Sequence, residues 1–453
     1  MQPLCRYDTI GEMLRRAALG LMLWMVGGTA AAQAPETYSI YTEAPRLFLR
    51  PARLRLLRRE RERKSLRWDQ FELLMAGGAP VPEPGFANAL YYQIGGDAAF
   101  AARAIAWAAR GADTRQLALV FDWCQDRMSP AERQALLRRL RQAVEAPPGP
   151  SFSDLRDQAL AAIAIAGDAP AASQAALRRI VETRWDTAVA ALKNGKPVLS
   201  RQDAQPLWEL FHAVRDNLNV DLRESLPAFF KEFPIYHLMS HYPAPFPAAE
   251  NEYRIGASPS GEPDLQAAVL SRAAELSMVA LDSNSPETQV LQGWLMNDRF
   301  LMRGLMGITY ELLWANPYQP GLSYYHVPLV FYEERLGQLF IRSSWEDDAT
   351  WVGLFAGQLQ MFRAGAVTAL NPALVREPLD LEEAIVMGPD TRQFHAPARE
   401  LNDIFIVGLE PNRLFHLEID DEEMTEVTSG AGGILYLKGV RGGVAVRITP
   451  RKI

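Results

Sequence analysis

The chain has 453 residues, with 47 Lys and Arg against 54 Asp and Glu, so its formal net charge is -7. This mildly acidic balance disfavours a nucleic-acid-binding protein, and a hydrophobic content of 48% disfavours intrinsic disorder. Two cysteines, Cys5 and Cys124, are too few for a disulfide scaffold or a cysteine-built zinc site.

The N-terminal segment has the pattern of a secretory signal peptide. Arg15 and Arg16 precede an apolar run from Ala17 to Val26, and small residues follow up to Ala32. The run is shorter than the roughly 20 apolar residues that span a bilayer. We therefore predict a signal peptide at residues 1–32, a periplasmic or secreted protein, and no stable membrane span after cleavage. The alternative is a buried N-terminal helix.

A basic stretch follows from Arg46 to Arg67 and has two interpretations. Its exposed arginines could form a patch for a polyanion. The alternative is a solvated helix face that Glu60 and Glu62 partly pair, and the pattern favours this second interpretation.

The next region is helical. From Phe86 to Leu313 apolar residues recur at helical spacing, and one such stripe ends at Cys124, which predicts a buried, unreactive thiol. Ser129 followed by Glu132 is a capping-box signature for a helix start. We assign residues 37–316 to a helical domain.

The periodicity changes near Pro317 to short runs rich in β-branched and aromatic residues, so we assign residues 317–453 to an antiparallel β domain. The predicted strands are Tyr324–Tyr332, Leu339–Arg342, Thr350–Phe355, Asp403–Val407, Arg413–Ile419, Gly433–Leu437 and Gly443–Ile448.

Four stretches together carry a family resemblance: 45–54, 120–133, 159–168 and, most specifically, the Arg-Ser-Ser-Trp-Glu-Asp-Asp-Ala-Thr-Trp run that ends at Trp351. The chain resembles the heparinase II/III-like polysaccharide lyases. The resemblance implies an incomplete α/α toroid followed by an antiparallel β-sandwich-like domain. It also implies an acidic, uronate-containing glycan as partner, with no cofactor.

Elimination from a uronate needs a group that neutralises the carboxylate, a base for the C5 proton and an acid for the leaving oxygen. In the lyases that this chain resembles, Asn, His and Tyr supply these groups. The segments at the matching places here are 151–157, 196–203 and 357–366, and they contain none of the three residue types. The sequence therefore predicts weak or lost catalysis.

The remaining candidates lie mainly between residues 236 and 254. The candidate catalytic residues are Tyr236, His237, His241 and Tyr253. The candidate substrate-binding residues are Arg201, Trp208, Arg215, Asn251 and Arg254. His237 and His241 could share a helix face, but Pro234 and Pro243 bracket a segment too short for a secure helix and no third ligand is evident, so we predict no metal site. Ordinary structural histidines and a core-packed Trp208 are the alternatives.

Two functions stay open on this evidence, with a lean towards the first. The first is an exported protein of the polysaccharide-lyase fold that interacts with an acidic glycan with weak or lost catalysis. The second is an active lyase that cleaves a uronate polymer by β-elimination. An envelope structural or interaction protein unrelated to glycans is a third possibility, because fold alone does not determine function.

Overall fold

The computed structural model describes residues 37–78, 80–196, 199–246, 254–298, 302, 304–420 and 424–451. The predicted signal peptide at residues 1–32 lies outside them. Residues Ser39–Ile453 form one compact unit. Among the described helices, none is both long and apolar enough to cross a membrane.

The first part of this unit is helical, as predicted. Its α-helices are α1 (Pro51–Glu62), α2 (Leu66–Ala76), α3 (Pro84–Gly95), α4 (Ala98–Ala108), α5 (Thr114–Trp123), α6 (Pro130–Glu145), α7 (Phe152–Ala164), α8 (Pro170–Arg178), α9 (Trp185–Lys193), α10 (Ala204–Leu218), α11 (Pro227–Met239), α12 (Leu265–Leu281), α13 (Pro286–Asn297) and α14 (Gly304–Trp314). A π-helical turn, Arg179–Arg184, makes α8 and α9 one continuous helical run.

The helices pack as a ring in which alternate helices touch one another. Contacts run from α3 to α5, α7, α10, α12 and α14, and α14 then packs on α2. The guanidinium of Arg67 on α2 fastens this closure by donating to the carbonyls of Glu311 and Ala315, each at 3.1 Å. The ring is the arrangement that the resemblance to a toroid implies.

Local sequence signals explain where several helices start. The predicted capping box at Ser129 and Glu132 is present at the start of α6, and Ser151 and Asp154 form a second one at α7. Cys124 is buried at the end of α5, as its stripe predicts.

The segment between Pro234 and Pro243 corrects one expectation. Pro234 lies inside α11, which continues to Met239 and therefore includes His237. An interior proline removes one helical hydrogen bond. Burial of the aromatic side chains around it, including Phe230, Phe233 and Tyr236, favours the continued helix all the same.

The second part is the β domain. Its strands are β1 (Val330–Glu333), β2 (Gln338–Arg342), β3 (Trp351–Phe355), β4 (Gln358–Arg363), β5 (Ala366–Leu370), β6 (Leu379–Asp380), β7 (Ala384–Met387), β8 (Gln393–His395), β9 (Leu401–Ile406), β10 (Leu414–Ile419), β11 (Thr425–Thr428), β12 (Leu435–Arg441) and β13 (Ala445–Pro450). They form three sheets with the orders β1-β2-β3-β4-β5, β12-β9-β7-β6 and β11-β10-β13-β8.

The sheet β12-β9-β7-β6 is buried on both faces. Val386 and Phe405 point into one apolar cluster, which includes the first sheet, whereas Ile385 and Ile404 point into another, which includes the third. Because neighbouring residues of a strand face opposite sides, both layers of core pass through this sheet. The β domain is therefore a stack of three sheets.

One strand pair differs from the antiparallel expectation: β7 and β9 are parallel, with Ile385 opposite Ile404. The sequence between them contains no crossover helix. Instead the chain leaves through β8, which belongs to the third sheet, and returns. That excursion supplies the long connection that a parallel pair requires.

The first sheet also packs against the helical domain. The ring of Tyr236 on α11 lies 5.7 Å from that of Phe340 on β2, and the indole of Trp351 on β3 donates to the carbonyl of Met239 at 2.8 Å. This junction brings α11 and the residues that follow it against the β domain.

Candidate functional site

The structure brings three of the predicted residues together in one buried group. Arg201 lies in a short 3-10 turn before α10, His237 lies on α11, and His241 follows the end of that helix. Glu275 on α12 meets all three. We call Arg201, His237, Ser240, His241, Ser271 and Glu275 the Arg201 cluster.

Arg201 is held on every side. Its Nη2 donates to Glu275 Oε1 at 2.6 Å, its Nε donates to Ser271 Oγ at 2.6 Å, and its Nη1 donates to the His237 carbonyl at 3.1 Å. The guanidinium also forms a hydrogen bond with Ser240 Oγ, and its Nη2 lies 2.9 Å from His241 Nε2. The guanidinium thus serves the protein's own acceptors.

The two histidines are neutral in this environment. Burial, reinforced by the charge of Arg201, lowers the pKa of His237 to about 4 and that of His241 well below its ordinary value. His241 Nδ1 lies 2.7 Å from the His237 carbonyl and its Nε2 lies 2.9 Å from Arg201 Nη2. These partners indicate a proton on Nδ1 and a lone pair on Nε2 that accepts from Arg201.

Glu275 supplies the negative charge of the Arg201 cluster. Its side chain is fully buried, and its Oε1 lies 3.3 Å from both His237 Nδ1 and His241 Nε2. Burial alone would raise the pKa of Glu275, but the charges of Arg272 and Arg201 and a hydrogen bond with His237 hold that pKa well below its usual range. The carboxylate is therefore ionised and is bound by Arg201.

A second chain of charges links this cluster to Arg254. Arg272 lies one turn before Glu275 on α12 and pairs with Asp298, which in turn accepts from the backbone N–H and Nη1 of Arg254, each at 3.1 Å. Arg254 also pairs with the exposed Asp347. Its positive charge is thus shared between two carboxylates.

The side chain of Tyr236 packs at the junction of the two domains and is not part of the Arg201 cluster. It lies between α11 and the first sheet, with its ring among Phe233, Phe331 and Phe340. Burial raises the pKa of Tyr236 above its ordinary value. A tyrosine that acts as a base needs the opposite shift.

The other predicted substrate-binding residues lie elsewhere. Trp208 is 1% exposed, and its ring packs against Phe211 and Phe233, so it cannot stack on a sugar without opening the core. Arg215 pairs with Asp216 at 2.9 Å and donates to the Leu281 carbonyl. Asn251 and Tyr253 lie outside the described residues.

Sequence reasoning missed Glu275 and Gln360. Gln360 on β4 is fully buried, accepts from the Tyr242 hydroxyl at 3.0 Å and donates to the Ser258 carbonyl at 2.7 Å. It lies in the segment where the resemblance implies histidines, and here it joins the two domains. One feature of the sequence could have identified Glu275. It stands among the apolar residues of α12, and a carboxylate buried in such a position needs a partner.

In the part of the chain that the structure describes, no group of three or more His, Cys, Asp and Glu side chains could hold a metal ion. His237 and His241 do converge, but they converge on Glu275 and Arg201. An arginine at this position opposes a cation there.

Open space lies along α1, away from the Arg201 cluster. A cleft of about 700 Å³ is lined by residues that include Arg58, Arg61, Tyr92 and Arg127. It shares Ala44, Pro45 and Arg58 with a cleft of about 260 Å³. That cleft shares Tyr41, Pro51 and Arg55 with a third, of about 600 Å³. We call the three together the α1 groove.

Comparisons with known proteins give little on function. No protein-family model and no curated protein matches the chain. The solved structures that match include a chain described as "Glycoside hydrolase", with 9% sequence identity and a TM-score of 0.29 over 82% of this chain and 71% of that one. A likeness this distant is no basis for an argument about activity. The structure shows a helical domain followed by a β domain.

Proposed function

We propose that the protein binds an acidic, uronate-containing glycan and has weak or no ability to cleave it by β-elimination. The proposed loss of cleavage rests on the geometry of the Arg201 cluster. Its guanidinium, its two imidazoles and its carboxylate are buried and bind one another. A substrate carboxylate would have to displace Glu275 to reach Arg201.

The acid–base properties of the same groups point the same way. General acids and bases work best when their pKa values lie near the working pH. The pKa of His237 is about 4, that of His241 is lower than its usual range, and that of Tyr236 is raised. Each shift moves its group away from proton transfer at neutral pH.

The binding half of the proposal has separate support. The motif resemblance implies an acidic glycan, and the α1 groove offers an open surface with several arginines. Guanidinium groups recognise planar carboxylates and sulfates through paired hydrogen bonds. The resemblance and the groove are independent of the Arg201 cluster.

Ultraviolet absorbance tests the loss of catalysis. Elimination leaves a C4–C5 double bond conjugated to the carboxylate, so each cleavage raises the absorbance of the product. We expect little or no rise with heparan, chondroitin or alginate polymers. A strong rise that Tyr236→Phe or Tyr253→Phe abolishes would establish the alternative, an active lyase, and would contradict the proposal.

We also propose export to the periplasm or the medium, on the pattern of residues 1–32 alone. The mature chain should begin at or close to Gln33. N-terminal sequencing of the protein from a producing cell measures this directly, and an intact Met1 on a cytoplasmic protein would contradict it.

A further inference from the structure

The three clefts of the α1 groove are neighbours along one helix. Each shares lining residues with the next, and together they follow α1, whose 12 residues extend over about 18 Å. A groove of this length can hold several units of one polymer chain at the same time. A single small ligand would fill only one of its clefts.

Positive side chains dominate the walls of the groove. The lining arginines are Arg50, Arg53, Arg55, Arg58, Arg61 and Arg127. Four lining carboxylates oppose them, but two are bound by arginines that lie outside the lining: Asp122 by Arg46 at 3.0 Å and Asp216 by Arg215 at 2.9 Å. Glu43 and Asp126 remain, so the groove is locally positive in a chain whose net charge is -7.

Several of these arginines are held in place without losing their charge. Arg61 donates to the carbonyls of Ile94 and Gly95 at 2.8 and 2.9 Å, and Arg58 donates to that of Gln93 at 3.2 Å. A carbonyl is a neutral acceptor, so the guanidinium keeps its charge and its remaining N–H groups. Fixing the side chain in advance lowers the entropy cost of binding an anion.

The two ends of the groove carry different polar side chains. At one end Arg127 Nε donates to the Tyr92 hydroxyl at 3.0 Å, and that hydroxyl donates to Asp126 at 2.5 Å. Near the other end the Arg50 guanidinium lies 4.3 Å from the centre of the Tyr41 ring. Tyrosine hydroxyls and carboxylates suit the hydroxyl groups of a sugar, next to arginines that suit its acidic groups.

The groove fits a glycan better than a nucleic acid. Proteins that bind single strands stack successive bases on aromatic platforms. Among the described aromatic residues that line the groove, Phe48, Tyr92 and Trp123 are buried, and Arg50 covers one face of the half-buried Tyr41. Spaced arginines with few stacking surfaces suit spaced carboxylates or sulfates.

We propose that the α1 groove is the site at which this protein holds an acidic polysaccharide, with its arginines contacting acidic groups on several consecutive sugars. The inference rests on the proposed glycan binding and gives that binding a place. It moves the site away from Arg201, Trp208 and Arg254, whereas Arg215 borders the groove through its ion pair with Asp216. It also gives the basic stretch of the sequence a binding role in addition to the structural bonds of its arginines.

The test compares two triple variants of the full chain that lose the same positive charge. The groove variant carries Arg55→Gln, Arg58→Gln and Arg127→Gln. The control carries Arg59→Gln, Arg63→Gln and Lys64→Gln, which lie on or just after α1 but outside the groove lining. Circular dichroism and the unfolding midpoint show whether each is folded. If Arg58→Gln disturbs the end of α3, the double variant Arg55→Gln, Arg127→Gln replaces the triple.

Affinity for heparan is then measured by calorimetry at low salt. The groove variant should bind about tenfold more weakly or worse, since it loses three exposed charge contacts with the polymer. The control should stay within about twofold of the wild type, because only long-range, screened charge has changed.

Each other outcome overturns a defined part of the account. Equal losses in both triples, or no loss in either, would overturn the groove assignment while glycan binding stands. Failure of the wild type to bind any acidic glycan would overturn the proposed function as well. An equally tight, groove-dependent complex with single-stranded DNA would overturn the assignment of the groove to a glycan.

Discussion

Glu275 is the residue on which the Arg201 cluster depends most. Glu275→Gln removes the only carboxylate bound to Arg201 among the described residues and leaves Arg201 and Arg272 buried beside a neutral amide. Breaking a buried pair in this way costs about 3–5 kcal/mol of the free energy of unfolding. Urea unfolding of the variant measures the loss.

The matched control for this variant is Glu145→Gln, which breaks an exposed pair with Arg141 on α6. Its unfolding midpoint should stay at the wild-type value. A Glu275→Gln variant as stable as this control would show that the buried network is not a structural unit.

Glu311 on α14 predicts a pH dependence of stability. Burial raises the pKa of Glu311 from 4.5 to about 7. Between these values the folded protein binds more protons than the unfolded chain, so stability falls as pH rises through this window. The contribution of Glu311 is fully present below its unfolded pKa and is lost by the time the pH passes about 7.

Glu311→Gln keeps the acceptor for the Met302 backbone N–H and removes the ionisation. The variant should therefore be more stable than the wild type above pH 7, by up to about 3 kcal/mol, and equal to it near pH 4. Unfolding midpoints of both proteins across this range give the comparison. An advantage that grows on acidification has the wrong sign for this account.

The sequence identified several residues of the Arg201 cluster but not the contacts that they make. Arg201, His237 and His241 meet in one buried group. Their neighbour Glu275 is 74 residues from Arg201 along the chain, and only tertiary packing shows that it occupies the guanidinium. Nothing in the sequence around Trp208 distinguishes an indole that packs in the core from one that stacks on a sugar.

Among the elements, α6 offers the clearest test of local sequence signals. Ser129 Oγ accepts from the Glu132 backbone N–H at 3.3 Å, and the Glu132 carboxylate accepts from the Ser129 backbone N–H at 2.8 Å. Ser129→Ala should cost about 1 kcal/mol of unfolding free energy.

Ser129→Asp supplies another capping acceptor and should retain most of that stability. Chemical unfolding of the two variants side by side separates a lost cap from a general effect of substitution at this exposed site. Equal losses in both would contradict a capping role.

The strands β4, β5, β6, β7, β8 and β11 lie outside the predicted set, and most of them lack a continuous apolar pattern. The exception is β7, which is a run of only four buried residues. In β4 the inward residue Gln360 is polar, because it bonds to Tyr242 and Ser258 across the domain junction. The strand β5 is mostly exposed and β6 has two residues, so neither carries the apolar pattern on which a strand prediction depends.

For the whole molecule, periodicity predicted the order of a helical domain and a β domain, which the structure shows. Periodicity could not predict the closure of α14 onto α2 or the three-sheet stack, since both depend on contacts distant in sequence. The sequence pattern did not predict the α1 groove either. Its walls come from the segment before α1, from α1 itself and from the ends of α3, α5 and α10.

The central claim is that the molecule holds an acidic glycan without cutting it, and one calorimetric titration with recovery of the polymer tests it most directly. Wild-type protein is titrated with heparan, chondroitin or alginate at ionic strengths of about 0.01 M and about 1 M, where the Debye length falls from about 30 Å to about 3 Å. We expect saturable binding of at least one polymer at low salt, weaker binding at high salt, and recovery of that polymer at its original length. Recovered chains that are shorter and carry unsaturated ends, or an absence of binding at low salt with all three polymers, would contradict it.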